Sequence, residues 1–208
     1  MQGTGEALIS TWVSGLDGVP LEARNVNQQH PAAGLLALPA AVAAHRLGRA
    51  GELAEVVRRA LPGASQAAAD ELVAAVGAEA VAEVLAEAHC SPMTDAAAAT
   101  PLVTAHDAGR LLTALAEGRL VDPSAAEAIE AAMRDHGERD GLPLGLPEDV
   151  TVANVVGVAD GVRHDIALVR SGERPPTVVC LLTTGLDDDM AEFRISELAR
   201  FLWDTLPR

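Results

Sequence analysis

The sequence predicts a single α+β domain, in which the two ends of the chain form one antiparallel sheet and the middle supplies helices that pack against it. Strand-like segments occur in residues 1–31 and 150–208, whereas residues 32–149 are alanine-rich and helical in pattern. Apolar residues make up 49% of the 208 residues, which is enough for one sizeable core. Aromatic residues make up only 2%, so this core is expected to consist of leucine, valine and alanine. We therefore predict one domain over residues 1–208.

The N-terminal part of the sheet is predicted to be a hairpin. Residues 7–14 (ALISTWVS) and 19–25 (VPLEARN) have the composition of strands. The turn sequence GLDG at residues 15–18 connects them. Residues 25–31 are polar and are expected to lead from the hairpin into the helical region.

The middle of the chain has helical patterning with recognisable start and stop signals. The helices are predicted over residues 32–49, 53–61, 65–88, 105–118 and 123–134. The first is apolar on all sides, as expected of a buried helix, and Gly77 is an internal stop in the third. Thr104 is a candidate N-cap for the fourth helix, and Asp122 or Ser124 for the fifth. Residues 90–100 are predicted to be a loop.

The C-terminal part supplies three strands and a closing helix. Residues 137–149 are rich in glycine, proline and charge and are predicted to be a loop. The strands are predicted over residues 150–158, 162–170 and 177–184. A final helix begins at the aspartates 187–189, which favour a helix N-terminus. The apolar residues expected to face the sheet are Met190, Phe193, Leu198, Phe201 and Leu202.

The charge balance excludes several classes of partner. Arg supplies all 15 basic residues against 30 acidic ones, so the formal net charge is 15 − 30 = −15 and the chain contains no lysine. Such a surface repels phosphate, so neither nucleic acid nor a membrane is expected as a partner. Residues 1–6 do not resemble a secretory signal, which predicts a cytoplasmic protein with Cys90 and Cys180 as free thiols. The histidines lack metal-ligand spacing, and we expect neither a metal nor a cofactor.

Four segments carry a resemblance to a known enzyme superfamily. Residues 30–39 (HPAAGLLALP) are similar to its "AASLIKLP" segment, and residues 150–157 (VTVANVVG) to "VTVAHKTG". Residues 160–165 (DGVRHD) and 182–188 (LTTGLDD) are similar to the sequence that follows the "VTVAHKTG" segment in many actinobacterial members. With the order of the predicted elements, the chain resembles the class A β-lactamases and penicillin-binding transpeptidases. The resemblance implies their fold, here with a shortened helical middle.

The resemblance also implies where the catalytic residues of that superfamily would lie. Its Ser-x-x-Lys aligns with Gly34-Leu35-Leu36-Ala37, its Ser-Asp-Asn turn with Ala64-Ser65-Gln66, and its Lys-Thr-Gly strand with Val155-Val156-Gly157. The serine and the lysine that activates it are therefore both missing, and no lysine elsewhere can replace the base. We expect a degenerate member that performs no serine acyl-enzyme chemistry.

Three other side chains are candidates for residual chemistry near that site. Strand alternation places Arg163 on one face of the sheet with Asp165, and His164 on the other. In the resembling superfamily an arginine near this position helps hold a substrate carboxylate. The alternative for Arg163 is an ion pair with an acid such as Asp160. His164 and His30 are candidate general acids or bases, with a structural, hydrogen-bonded histidine as the alternative for His164.

Three functions remain open at this point. The first is a pseudoenzyme that binds a small-molecule or peptide ligand, or a protein partner, with homo-oligomerisation left open. The second is a non-covalent cyclase, isomerase or lyase in actinobacterial small-molecule or peptide biosynthesis. The third is a hydrolase with Ser65 or Cys90 as nucleophile. If Val155 and Val156 face a filled interior, the ancestral cleft has collapsed into core; otherwise it is available for a ligand.

Overall fold

The computed structural model describes residues 7–62, 65–91, 96–135, 140–172 and 174–206, and the structural statements below concern this part of the chain. Its strands are β1 (Leu8–Gly15), β2 (Pro20–Arg24), β3 (His30–Pro31), β4 (Leu102–Val103), β5 (Thr151–Ala159), β6 (Val162–Arg170) and β7 (Thr177–Thr184). Its helices are α1 (Ala37–Arg46), α2 (Ala54–Ala60), α3 (Gln66–Val76), α4 (Ala78–Glu87), α5 (Ala105–Ala116), α6 (Pro123–Arg134), α7 (Gly141–Leu144) and α8 (Asp188–Thr205). Ala64, one of the aligned positions, lies outside the described residues.

The main sheet joins the two ends of the chain, as the sequence predicts. Five antiparallel strands lie in the order β2-β1-β7-β6-β5, so the first hairpin pairs directly with the last strand. In this register Trp12 lies opposite Cys180. The architecture is α+β, as predicted.

The sheet separates two hydrophobic cores, because successive side chains of a strand point to opposite faces. Val155, Ile166 and Cys180 point into the larger core, which α1 and the other helices of the middle region complete. Ala167 and Val179 point into the smaller core beneath α7 and α8. Helix α1 is central to the larger core, since all of its residues 37–44 are buried. An apolar helix without a polar face is stable only in such a position.

Several start signals predicted from the sequence are confirmed. The Thr104 side chain accepts a hydrogen bond from the backbone N–H of Asp107 and caps α5. Asp122, rather than Ser124, caps α6, because its carboxylate accepts the N–H groups of Ser124 and Ala125. Asp187 caps α8 in the same way. Gly77 separates α3 from α4 with φ of 88°, a conformation that glycine adopts without strain.

Three elements differ from the prediction. The helix predicted from residue 32 begins only at Ala37, because Ala33 and Gly34 have φ of 45° and 95° and form a turn instead. The short strands β3 and β4 pair with each other in a second sheet, which the polar sequence around them does not indicate. Helix α7 lies inside the predicted loop 137–149, where it packs against α8.

The face of α8 that lies on the sheet was predicted correctly for Leu198 and Leu202, which pack against the smaller core, and wrongly for the other three residues. Met190, Phe193 and Phe201 are 42%, 53% and 62% exposed. The buried residues of α8 are Ala191, Ile195, Ser196, Ala199 and Leu202. Small side chains let the helix lie close to its neighbours, and a Cβ added to Gly145 beside it would come within 2.3 Å of the Ser196 carbonyl oxygen. Bulky aromatic rings do not fit such a contact, so they point outward.

Within the described residues, every helix is too short or too polar to cross a lipid bilayer.

Candidate functional site

The described residues enclose a cleft of about 570 Å³ between the turn that precedes α1, the exposed side of α3 and residues 96–101. Half of its lining residues are alanines. The lining residues with polar side chains are Gln66, Asp70 and Thr100. This volume is in the range of small-molecule sites, which are mostly apolar with a few placed polar groups.

The turn before α1 lies directly against β5 at one end of this cleft. A Cβ added to Gly34 would lie 3.7 Å from Cα of Gly157. A Cβ added to Gly157 would lie 2.3 Å from the Ala33 carbonyl oxygen, so only glycine permits this approach. The segments aligned with Ser-x-x-Lys and Lys-Thr-Gly are therefore in contact beside the cleft, which Gly34 lines and Gly157 does not.

The positions aligned with the catalytic serine and its base offer no reactive group. Gly34 has no side chain, and Ala37 is fully buried in α1. The Ser65 hydroxyl accepts the Ala68 N–H and caps α3. Among the described residues, the Gln66 amide presents a polar side-chain atom close to Gly34, with Oε1 3.8 Å from the position of an added Cβ. This Gln66 is one of the aligned positions, and its Nε2 donates to Asp70 at 2.6 Å.

Val155 and Val156 belong to the interior. Both side chains are buried, and neither is among the residues that line the cleft. The β5 positions aligned with Lys-Thr-Gly are therefore buried, whereas the cleft at Gly34 and α3 is open. From the sequence, a cleft filled by Val155 and Val156 and a cleft open to a ligand were alternatives. In the structure the two valines are buried and a cleft lies open beside Gly34.

His30 and His164 lie together below the cleft, with ring centroids 5.6 Å apart. The Thr183 N–H donates to Nδ1 of His164 at 3.2 Å, so its Nε2 carries the proton and donates to the Pro31 carbonyl oxygen at 2.7 Å. The other ring is also satisfied, with Nε2 of His30 2.8 Å from the Ser10 hydroxyl and Nδ1 2.7 Å from the Thr184 hydroxyl. Burial lowers the pKa of each histidine to about 4.

Arg163 lies on the opposite face of the sheet from His164, as alternation predicts, and faces α8. Its guanidinium contacts Asp188 at 2.8 Å and Asp140 and Glu192 at 3.3 Å each. The alternative predicted for Arg163, an ion pair in place of anion binding, is therefore observed. Its partners are these three acids and not Asp160. None of Arg163, His164 and His30 lines the described cleft. Their catalytic role stays a prediction.

Asp165 is a buried acid that pattern analysis did not select. Its carboxyl accepts the Leu142 N–H and the Asn154 side-chain amide, both at 2.8 Å. Burial is the largest influence and raises its pKa to about 7, although both hydrogen bonds oppose that shift. The contact is close, since a Cβ added to Gly141 would lie 2.8 Å from Oδ2 of Asp165. Asp165 therefore attaches α7 to the sheet.

The free energy of unfolding of Asp165→Asn, measured relative to that of wild type, is expected to increase as the pH rises from 5 to 8. The folded pKa of Asp165 is raised above its usual 3.8, so its contribution to stability is complete in acid and is lost as the pH rises through about 7. Asparagine does not ionise, so the variant lacks this pH dependence, although its amide can accept only one of the two hydrogen bonds at any pH. Urea unfolding at both pH values measures the difference, with a relative gain of about 2 kcal/mol expected. Asp160→Asn, in an exposed turn, is the control; an equal response in both variants would contradict the prediction.

The cysteines do not provide a nucleophile. Burial and the nearby Asp107 raise the pKa of Cys90 to about 12, and its Sγ lies 3.4 Å from the Asp107 carbonyl oxygen. Cys180 is fully buried in β7, which raises its pKa as well. Both are free thiols, as predicted. The described ranges also contain no group of three or more His, Cys, Asp or Glu side chains placed to hold a metal ion.

The sheet formed from both chain ends, the buried helix behind it and the cleft where they meet define a protein of the β-lactamase-like fold. A β-lactamase from Sphaerobacter thermophilus superposes with a TM-score of 0.81 at 19% identity, over 98% of this chain and 94% of that one. The ancestral class A β-lactamase of Gram-negative bacteria gives 0.81 at 20%, over 96% and 95%. A variant of PBP-A, solved as an acyl-enzyme complex with penicillin G, gives 0.80 at 18%, over 95% and 89%. These identities establish the fold alone.

The sequence itself provides the assignment to a family. The model described as "Beta-lactamase enzyme family" matches residues 48–206, and the chain belongs to that family. This match begins after Gly34 and Ala37, so it does not include the positions aligned with the serine and the lysine. The comparison with curated proteins gave no match.

Proposed function

We propose that this chain is a non-acylating member of the family that binds a small-molecule or peptide ligand in the cleft beside Gly34. The observation that carries the proposal is the combination of an open cleft of about 570 Å³ with the lack of a hydroxyl and an amine at Gly34 and Ala37. A site that had lost all use would be expected to fill with side chains, as the wall at Val155 and Val156 has done.

The remaining polar groups support binding rather than acylation. Serine acylation requires a hydroxyl and a base that removes its proton. Gly34 provides no hydroxyl, and the buried Ala37 offers no space for an amine in contact with water. Ser65 is engaged as a helix cap, and the raised pKa of Cys90 disfavours a thiolate. A hydrolase that uses either residue therefore has no support from the geometry.

A non-covalent cyclase, isomerase or lyase is the weaker alternative. Such an enzyme needs an acid or base that reaches its substrate. Among the described lining residues only Asp70 has an ionisable side chain, and it lies on the exposed side of α3. We therefore favour a binding protein over a cyclase, isomerase or lyase of actinobacterial small-molecule or peptide biosynthesis.

Incubation with excess penicillin G is expected to leave the intact mass of the protein unchanged, because no activated nucleophile is available. Mass spectrometry of the intact chain measures this directly. The PBP-A variant that forms an acyl-enzyme with penicillin G is the positive control. A stoichiometric adduct on this chain would overturn the proposal, and Ser65→Ala and Cys90→Ala would then locate its site.

A further inference from the structure

We propose that the cleft is selective for ligands that carry a protonated amine, with the ammonium group bound by Asp70 and Gln66. This inference rests on the proposed function, because it names the chemical class of the ligand of the same site. It follows from the charge and hydrogen-bonding character of the cleft wall.

The wall formed by α3 presents hydrogen-bond acceptors. The Gln66 Nε2 donates to Oδ1 of Asp70 at 2.6 Å, so the amide nitrogen faces the carboxylate and Oε1 is directed towards Gly34. Within the described residues Asp70 has no cationic partner. The Oε1 of Gln66 and the carboxylate of Asp70 are therefore available to a donor. An ammonium group supplies three donors and one positive charge.

The charge of the cleft disfavours anions. No arginine occurs among its described lining residues, and the chain has no lysine. The formal net charge of −15 also repels anionic ligands and attracts cationic ones at long range. A carboxylate ligand would therefore meet Asp70 without a compensating cation. Carboxylates buried or half-buried without a partner lose hydration that nothing replaces.

The rest of the ligand is expected to be small and apolar. Ala69, Val73 and Ala74 lie on the same side of α3 as the two acceptors, because residues three and four positions apart share a helix face. The turn at Ala33 and Gly34 forms the adjoining surface. A compact aliphatic body can contact these side chains while its amine reaches Asp70.

Three probes of equal shape test this preference: cyclohexylamine, cyclohexanol and cyclohexanecarboxylate at neutral pH. Titrations followed by the amide resonances of Gly34 and Ala69 give an affinity for each. The amine is expected to bind about threefold more tightly than the alcohol, as an ion pair with an exposed carboxylate implies, and the carboxylate more weakly than either. Asp70→Asn should remove the advantage of the amine over the alcohol.

Glu83→Gln is the matched control, because it removes one negative charge from an exposed position on α4 that does not line the cleft. It should preserve the preference for the amine. Carboxylate binding equal to amine binding, or an Asp70→Asn variant with the wild-type preference, would overturn the inference and leave the proposed function intact. If none of the three probes shifts the cleft resonances, the proposed function fails and this inference fails with it.

Discussion

Replacing Gly157 by alanine is expected to lower the free energy of unfolding by about 3 kcal/mol, the upper part of the range for added volume at a packed site. The new Cβ would lie 2.3 Å from the Ala33 carbonyl oxygen and 3.3 Å from that of Ala32. Both contacts are with backbone, which cannot rotate away as a flexible side chain can. The turn at Ala33 is also constrained already, since its φ of 45° is uncommon for a residue with a side chain.

Urea unfolding of Gly157→Ala and Gly51→Ala tests this prediction. Gly51 has open space around its Cβ position and an ordinary φ, so alanine there should be neutral or slightly stabilising through the unfolded state. The Gly157 variant should also shift the amide resonances of the turn before α1, because β5 and the turn must separate. Equal stabilities for the two variants would show that β5 and the turn are not in close contact.

Replacing His164 by leucine is expected to lower the free energy of unfolding by about 3 kcal/mol at neutral pH. Leucine fills a similar volume but leaves the Pro31 carbonyl oxygen and the Thr183 N–H without their side-chain partner. His164 is completely buried, so water cannot replace either hydrogen bond. The variant should therefore lose much of the connection between β6 and the segment that leads into the turn.

The effect of His164→Leu should depend on pH in a defined direction. The folded pKa of His164 is lowered to about 4 from 6.5, so the unfolded chain binds more protons between those values. Wild type therefore loses the contribution of this histidine as the pH falls from 6.5 to 4, and the variant does not. The difference between the two proteins should be largest at neutral pH and should shrink towards pH 4.

Chemical unfolding at a series of pH values measures that difference. His89→Asn is the control, because His89 is exposed and asparagine tolerates its positive φ of 58°. The control should be close to wild type at each pH. A difference between wild type and His164→Leu that stays constant over the whole range would show that His164 is not held neutral in the fold.

Much of the fold can be predicted from local pattern. The strands of the main sheet follow from β-branched segments bounded by turn residues, and the caps of α5 and α6 follow from Thr104 and Asp122. The resemblance of residues 30–39 and 150–157 to family segments indicated the aligned positions, and the structure shows that the two segments are in contact at Gly157. These features depend on residues that are close in sequence or on sequence segments that resemble those of a known family.

Other features depend on distances that sequence patterns do not record. His30 and His164 are separated by more than a hundred positions, and only the packing of β3 against β7 brings their rings together. The outward direction of Phe193 and Phe201 depends on how closely α8 approaches α7 and the sheet. Hydrophobicity alone assigned those rings to the interior, because it does not include the space available.

The sequence by itself determined the order of the elements, the pairing of the chain ends in one sheet and the lack of lysine anywhere in the chain. Only the tertiary structure decided that Val155 and Val156 are buried while a cleft lies open at Gly34 and α3. It also decided that Asp165 is buried and that Arg163 faces α8. The physical reason is that composition and periodicity fix local geometry, whereas a cleft, a pKa and an ion pair depend on which distant surfaces come into contact.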